Sequence, residues 1–320
     1  METFAEFQRR RNSGFYSSKG GRIYSSFRTF AHSLKFAEAN AVEFARRAPR
    51  KGKLRVYEIG VGDGKFALNF LRALRKADEK VAERTTYILW DFSEKGVELA
   101  SGKLEGFDFE TVAAPAWDWK KMRGATCVKC SELLDDLPTR MLVRRGMHVM
   151  EIVREGDEFR EVDARVEGET ALFMEGMPEG YWVPVPEIGL ECILGWKGKL
   201  APGGWIDIFD YGFADAEGMR MLPRNGWNAS IWREFSGQVT VDVNFQFLKR
   251  CAGGRIEAQK DYVERALGKD LWEVDAGKLD YYSYEEVKKN WKKLEAGGYD
   301  INILLSGGES SDYLHMEISK

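Results

Sequence analysis

Metal-binding side chains are scarce in this chain, which has only 4 cysteines and 3 histidines among 320 residues. Cys127 and Cys130 form a Cys-x-x-Cys pair. A zinc site usually needs about four ligands, and the other cysteines and histidines do not supply the missing two at a suitable spacing. We therefore predict no metal site, and we interpret this pair as part of a buried strand and the turn after it.

Long apolar runs and an excess of one charge are also missing. No segment approaches the ~18 apolar residues that indicate a membrane-spanning helix, and no apolar run of signal-peptide length follows the basic start of the chain. We therefore expect a cytoplasmic protein with no membrane span. The net charge is only −3, so the composition does not indicate a nucleic-acid partner. A homodimer is left open.

Apolar segments of strand length alternate with segments of helical periodicity. Hydrophobic residues make up 44% of the chain, which is ample material for a core. This alternation predicts a parallel sheet with crossover helices, an α/β fold of the Rossmann-like kind. The predicted strands are 54–59, 86–90, 109–113, 125–130 and 204–210, and the first long amphipathic helix is 27–48.

The pattern divides the chain into four parts. Residues 1–50 form an N-terminal helical segment, and 51–140 with 184–213 form the Rossmann-like core. Residues 141–183 read as an insertion, because 147–153 and 158–166 resemble a β-hairpin around Gly156. Residues 214–320 are predicted to form a C-terminal cap and to supply the last strands, at 301–305 and 313–318.

A glycine-rich turn follows the first predicted core strand. The strand carries Glu58 near its end and continues as Gly60-x-Gly62-x-Gly64 into a helix. Glycines at such a turn let the backbone approach a ligand closely. A phosphate-binding P-loop needs GxxxxGK[ST] and a dinucleotide fingerprint needs GxGxxG, and neither spacing fits. The acidic-x-G-x-G-x-G form typical of methyltransferases does fit.

Two further segments favour a nucleoside ligand. Asp91 ends the second predicted strand, where a carboxylate can accept hydrogen bonds from both ribose hydroxyls. Proteins that bind NAD share this device, so Asp91 alone does not name the ligand. After the third strand, Trp117 and Asp118 offer an aromatic face and a carboxylate that suit an adenine ring, although tryptophan is also common in cores.

An acidic segment, 131–138, follows the fourth predicted strand. It lies at the carboxyl end of a central strand, where open α/β sheets place their chemistry. Glu132 and Asp135 are three residues apart, so they share one face of a helical turn. They could hold or deprotonate an acceptor amine or guanidinium, or they could be acidic residues favoured in the first turn of a helix. The sequence leaves both interpretations open.

The chain resembles the MidA-like methyltransferases along most of its length, from about residue 14 to residue 305. The resemblance depends on eight motifs in the family's order, of which Asp210, Tyr211 and Gly212 reproduce the family's Asp-Tyr-Gly. The eight are 14–16, Gly21 with Ser25 and Ser26, 58–64, 91–93, 131–138, 186–189, 210–212 and 240–245.

The chain departs from the family pattern mainly where an acceptor would bind. Arg22, Gln238 and Asn244 stand where the family has aspartate, and Ser131 replaces the usual asparagine or histidine before Glu132. Phe and Arg at 27–28 stand in place of Pro-Glu. Several of these changes remove acidic groups that could face a cationic acceptor. The cofactor half of the expected site is therefore better preserved than the acceptor half.

The resemblance implies a class I methyltransferase that uses S-adenosylmethionine and acts on a protein, with arginine as the methylated side chain. It implies a seven-stranded, mostly parallel sheet with an inserted hairpin region and a C-terminal cap. Glu132 and Asp135 would orient the acceptor. The expected cofactor-binding residues are Glu58, Gly60, Gly62, Gly64, Asp91, Phe92, Trp117, Asp118 and Ser131. The expected substrate-pocket residues are Tyr16, Arg22, Asp210 and Tyr211.

Three rival functions compete with this one. An NAD-dependent oxidoreductase is disfavoured by the glycine spacing. A non-catalytic assembly or binding protein that keeps the fold is left open by the altered acceptor side. Methylation of a small molecule or of RNA is the third alternative.

Overall fold

The computed structural model describes residues 1–19, 29–221, 231–273, 281–297 and 313–320. The helices in these ranges are α1 (Phe4–Lys19), α2 (Leu34–Arg47), α3 (Lys65–Ala77), α4 (Glu79–Glu83), α5 (Glu94–Ser101), α6 (Gly168–Glu175), α7 (Glu187–Lys199), α8 (Ala216–Met221), α9 (Phe245–Ala252), α10 (Gln259–Leu267) and α11 (Tyr284–Ala296). Short 3-10 turns lie at Phe30–His32, Trp119–Lys121 and Leu134–Asp136. The strands are β1 (Glu2–Thr3), β2 (Leu54–Ile59), β3 (Thr85–Asp91), β4 (Phe109–Ala113), β5 (Ala125–Ser131), β6 (Arg140–Arg145), β7 (His148–Glu155), β8 (Glu158–Asp163), β9 (Trp182–Val185), β10 (Leu200–Phe213), β11 (Trp232–Phe235), β12 (Gln238–Val241), β13 (Val243–Asn244), β14 (Arg255–Ala258), β15 (Leu271–Glu273), β16 (Tyr281–Ser283) and β17 (Tyr313–Ser319).

The larger sheet has the strand order β14-β17-β10-β5-β2-β3-β4, and the short β13 pairs with β10 beside this path. Strands β10, β5, β2, β3 and β4 are parallel, whereas β17 is antiparallel to β10 and β14. This confirms the Rossmann-like α/β class and the seven-stranded path. The order reverses between β2 and β5, and open α/β sheets bind ligands at the carboxyl ends of strands at such a point.

Helices cover both faces of this sheet, and the central strands are therefore buried on both sides. Helices α2, α3 and α10 cover one face, with Phe36, Phe70 and Tyr262 in its core. Helices α7 and α9 cover the other face, with Trp196 and Phe245 in its core. Strand β3, for example, is buried along its whole length.

A second sheet of five strands has the order β1-β7-β6-β9, with β8 paired to β7. The predicted hairpin is confirmed as the antiparallel pair β7 and β8. The sequence did not indicate β1, in which Glu2 pairs with Arg154, because a two-residue strand has no periodicity. Helix α1 follows directly, and its Phe4 and Phe7 pack with Trp232 in a separate core cluster.

Some predicted boundaries differ from the structure. The helix expected over 27–48 begins only at Leu34, because the side chain of Ser33 accepts a hydrogen bond from Phe36 N and caps α2. The expected strand at 313–318 is β17, and the one expected at 301–305 lies outside the described residues. No helix of the described ranges combines the length and apolar character needed to cross a membrane.

Candidate functional site

The glycine loop joins β2 to α3 at the point where the order of the sheet reverses. Gly60, Gly62 and Gly64 have φ values of +78°, +57° and +73°, which side chains with a Cβ rarely adopt. A Cβ on Gly64 would lie 2.7 Å from Ala100 Cα, so this glycine is needed for packing against α5. A Cβ on Gly60 would lie 3.2 Å from Leu133 Cδ1, so the loop also passes close to the acidic segment.

Asp91 occupies the carboxyl end of β3, beside this loop. Its side chain is 5% exposed, and its Oδ1 accepts a hydrogen bond from Ser93 N at 2.9 Å. Burial raises the pKa of this carboxyl, while backbone N–H groups of Ser93, Gly62 and Phe92 lower it. A carboxylate that backbone N–H groups orient at a strand end can accept hydrogen bonds from ribose hydroxyls. Asp91 therefore fits a nucleoside cofactor.

Glu58 lies beneath the loop, within the sheet. It is 6% exposed, and its Oε2 accepts a hydrogen bond from the Tyr87 hydroxyl at 2.8 Å. Burial raises the pKa of Glu58 to about 8, and the nearby carboxyls of Asp63 and Asp91 act in the same direction. Glu58 was expected among the cofactor-binding residues, and the structure shows its carboxyl buried in the sheet and bonded to Tyr87.

Asp63, inside the glycine loop, carries a charge cluster that sequence reasoning missed. Its carboxylate lies 3.5 Å from His32 Nε2, 3.4 Å from Lys65 Nζ and 3.1 Å from Lys103 Nζ. Partial burial opposes ionisation, but hydrogen bonds from His32, the Lys65 backbone and Lys103 outweigh it and lower the pKa of Asp63. These contacts tie the loop to the 3-10 turn at Phe30–His32 and to the end of α5.

Two exposed aromatic side chains lie beyond strand ends on the same edge of the sheet. Phe92, directly after Asp91, is 54% exposed, and Trp117, beyond β4, is 40% exposed. Asp118 forms an ion pair with Lys121 at 2.8 Å. Trp119 instead packs tightly under α7. Phe92 and Trp117 are thus available to flank a flat ring such as adenine.

The acidic segment begins at the end of β5. Ser131 Oγ is buried and has no hydrogen-bond partner among the described residues. Glu132 has a φ of +49°, a left-handed conformation that is rare outside glycine and is found at functional turns. Its Oε1 accepts a hydrogen bond from Phe30 N at 3.0 Å. Burial and the nearby charge of Asp135 raise the pKa of Glu132 to about 8.

Asp135 is held by one oxygen only. Its Oδ2 accepts a hydrogen bond from the Tyr211 hydroxyl, whereas its Oδ1 is buried without a partner in the described part of the chain. Burial raises the pKa of Asp135 to about 6, and the Tyr211 hydrogen bond and the Arg233 charge oppose that shift. The Arg233 guanidinium lies over the Tyr211 ring at 4.7 Å and pairs with Asp242. No sequence motif indicated Arg233.

Asp136 is a further carboxyl of this segment that the sequence did not single out. It accepts hydrogen bonds from the Tyr16 hydroxyl and, at 2.8 Å, from Gln238 Nε2. Burial and the charge of Asp135 raise its pKa well above the ordinary value. An aspartate at 238, as in the family pattern, would add a carboxylate here, so glutamine removes a like-charge contact.

Asp210 lies beneath the acidic segment and is fully buried. Its Oδ2 accepts hydrogen bonds from the backbone N–H groups of Leu133, Leu134 and Asp135 at 2.9–3.3 Å, and its Oδ1 from Tyr211 N at 2.9 Å. Both oxygens are engaged, so Asp210 shapes the segment and does not line the pocket as the sequence suggested.

Of two other positions that depart from the family pattern, the structure describes only Asn244. Asn244 is fully buried and caps α9, with its Oδ1 accepting from Phe247 N and its Nδ2 donating to Pro184 O. Asn244 therefore has a structural role at the start of α9. Arg22 lies outside the described residues.

The candidate site thus joins the edge at Asp91 and Phe92, which was expected to bind a nucleoside, to a carboxylate cluster at Glu132 and Asp135. Within the described ranges, no group of three or more His, Cys, Asp or Glu residues is arranged to hold a metal ion.

Two comparisons with known proteins found similar chains. Residues 37–261 match the model of a family described as "Putative S-adenosyl-L-methionine-dependent methyltransferase". The search of curated proteins found no match. A COG1565 superfamily member from Burkholderia thailandensis bound to S-adenosyl-homocysteine is 20% identical, with a TM-score of 0.68 over 99% of this chain and 87% of that one. A native crystal structure of a COG1565 superfamily protein from the same organism is 19% identical, with a TM-score of 0.67 over the same shares. These two proteins share the fold of this chain.

Proposed function

This chain belongs to the family of S-adenosyl-L-methionine-dependent methyltransferases whose model it matches, and from that premise we propose that it methylates an arginine side chain of a protein. The family predicted from the sequence motifs is thereby confirmed, and the chain is an enzyme that uses S-adenosylmethionine as methyl donor. The identity of the acceptor is the part that we propose.

The unpartnered Oδ1 of Asp135 carries this proposal. A buried carboxylate oxygen without a hydrogen bond is unfavourable, so the site is complete only when a donor occupies that position. Asp135 and Glu132 lie close enough to raise the pKa of the Asp136 and Asp210 carboxyls, and a cationic ligand would relieve this repulsion. A guanidinium provides both the charge and several N–H donors in a plane.

Each half of the site has a separate task in this mechanism. Asp91 would hold the ribose, the loop at Gly60 and Gly62 would lie along the methionine end, and Phe92 with Trp117 would flank the adenine. S-adenosylmethionine, when bound, supplies a methyl group activated by a sulfonium. Asp135 would orient the acceptor nitrogen through its Oδ1, and alignment of this kind is the main contribution an enzyme makes to a displacement reaction.

Glu132 would take the proton that the acceptor nitrogen loses. Its pKa of about 8 is near the working pH, which is the range in which a carboxylate is an effective general base. The positive charge of the acceptor would favour its ionised form at the moment of binding.

Mass spectrometry of peptides incubated with the protein and S-adenosylmethionine tests the acceptor. We expect methylation of arginine-containing peptides and none of the matched lysine peptides. Methylation of RNA or of a small molecule, with arginine peptides unchanged, would overturn the proposal. Glu132→Gln is expected to slow transfer by about 100-fold or more while S-adenosylhomocysteine affinity in calorimetry stays within about twofold. Glu105→Gln, at an exposed position, is the matched control.

We also propose that the protein is cytoplasmic, as expected from the sequence, and that it forms a homodimer, which the sequence left open. Light scattering of the purified protein tests the second, since a monomer mass would contradict it.

A further inference from the structure

One face of α1 is polar although it is packed inside the protein. Gln8, Asn12 and Tyr16 are four residues apart, so they share one side of the helix. Gln8 is fully buried, and its Nε2 donates to Asp135 O at 2.8 Å while its Oε1 accepts from Thr139 N at 3.0 Å. A side chain of α1 thus holds both ends of the segment 135–139.

Asn12 joins the same segment to β12. Its Nδ2 donates to Asp136 O at 3.1 Å and to Val239 O at 2.9 Å, and its Oδ1 accepts from Val239 N at 2.7 Å. Because buried amides are costly unless they are satisfied, these bonds fix α1 against the acidic segment.

Tyr16, the third residue of this face, contacts both halves of the site. Its hydroxyl donates to Asp136 and accepts from Gln238 Nε2 at 3.2 Å. Its ring meets the Phe92 ring edge to face, with centroids 5.5 Å apart and an interplanar angle of 84°. Phe92 directly follows Asp91, which is the expected ribose ligand. One side chain therefore spans the distance from the nucleoside-binding edge to the carboxylate segment.

We propose that Tyr16 is a positioning residue that couples occupancy of the cofactor site to the arrangement of residues 133–139. The inference rests on the proposed function only in that the cofactor lies beside Asp91 and Phe92. A bound nucleoside restricts the Phe92 ring, which is otherwise 54% exposed. The restricted ring limits the positions open to the Tyr16 ring, and so orders the hydroxyl and the Asp136 carboxyl that it holds.

Hydrogen exchange of the backbone amides of 133–139, with and without saturating S-adenosylhomocysteine, tests the coupling. In the unmodified protein we expect ligand to slow exchange by about fivefold or more, because coupling energies between sites usually start near that factor. Tyr16→Phe keeps the ring contact with Phe92 and loses the bond to Asp136. We expect its affinity for S-adenosylhomocysteine to stay within about twofold and the ligand-induced slowing to disappear.

The difference in exchange rate between the ligand-free and the ligand-bound protein distinguishes coupling from a merely structural role of Tyr16. If Tyr16 only stabilised the segment, Tyr16→Phe would speed exchange equally in both states and leave the difference unchanged, which would overturn the inference. Tyr284→Phe, on the exposed side of α11, is the matched control and should keep the full difference. Phe92→Ala removes the other ring of the contact with Tyr16, and it should also abolish the ligand-induced slowing of hydrogen exchange in 133–139. If S-adenosylhomocysteine fails to bind the unmodified protein at all, the assignment of the cofactor site fails and the coupling fails with it.

Discussion

Gly64 provides a direct test of how the glycine loop is constructed. In Gly64→Ala the new Cβ would lie 2.7 Å from Ala100 Cα and 2.8 Å from Ala100 Cβ, at a residue with a φ of +73°. The Ala100 Cα belongs to the backbone of α5 and cannot rotate away. Either α3 or α5 must therefore shift for the variant to fold.

Two costs add in this variant. A left-handed backbone costs a residue with a Cβ about 1–2 kcal/mol. Overpacking a buried contact costs a further ~1–3 kcal/mol. We therefore expect Gly64→Ala to lower the free energy of unfolding by about 2–5 kcal/mol, measured by urea titration with circular dichroism.

Gly106→Ala is the matched control, because Gly106 has a φ of +83° and nothing lies within 4 Å of the Cβ that this substitution adds. Only the backbone cost of about 1–2 kcal/mol applies there. Equal losses of stability in the two variants would refute the contact with Ala100. A loss of S-adenosylhomocysteine affinity in Gly64→Ala without a loss of stability would show instead that Gly64 faces the ligand.

Three further predictions follow from buried charges. Asp91→Ala should weaken S-adenosylhomocysteine binding by about 1–3 kcal/mol in calorimetry, and an unchanged Kd would remove Asp91 from the site. The pKa of Glu58 rises from 4.5 to about 8 on folding, so its contribution to stability is present below pH 4.5 and is lost as the pH rises towards 8. Glu58→Gln should therefore flatten the fall in stability between about pH 5 and about pH 8 in urea titrations, and parallel curves for the two proteins would contradict this. Lys129→Met breaks a buried pair with Asp207, at 2.6 Å, and should cost about 3–5 kcal/mol. The more exposed Lys103→Met should cost under about 1 kcal/mol, and similar losses would refute the distinction.

Much of the sheet could be predicted because its central strands are buried on both faces. Strands β2 and β4 have the predicted limits, and β3 and β5 differ from them by a residue or two. A strand of this kind is mostly apolar, so its position can be recognised from local composition. The hairpin β7–β8 could be predicted for a similar local reason, because apolar and polar residues alternate on both sides of a glycine turn.

The roles of individual site residues were less predictable. A motif reports that a carboxylate stands at a strand end, but it does not report which way the side chain points. Asp210 is engaged by four backbone N–H groups beneath the acidic segment, and Glu58 is bonded to Tyr87 within the sheet. Asp136 and Arg233 join the site through contacts with residues far along the chain or on another element, and these leave no local signal.

The sequence by itself therefore determined the fold class and the family, because the first depends on local periodicity and the second on short motifs in a fixed order. Only the tertiary structure decided which carboxyls are fully engaged by hydrogen bonds and how α1 reaches the acidic segment. Those properties depend on burial and on hydrogen bonds between residues far apart in the chain, such as Tyr16 and Asp136, which are 120 positions apart. The energies of burial and of these hydrogen bonds arise only when the chain has folded, because in the unfolded chain the side chains are solvated and their partners are far apart.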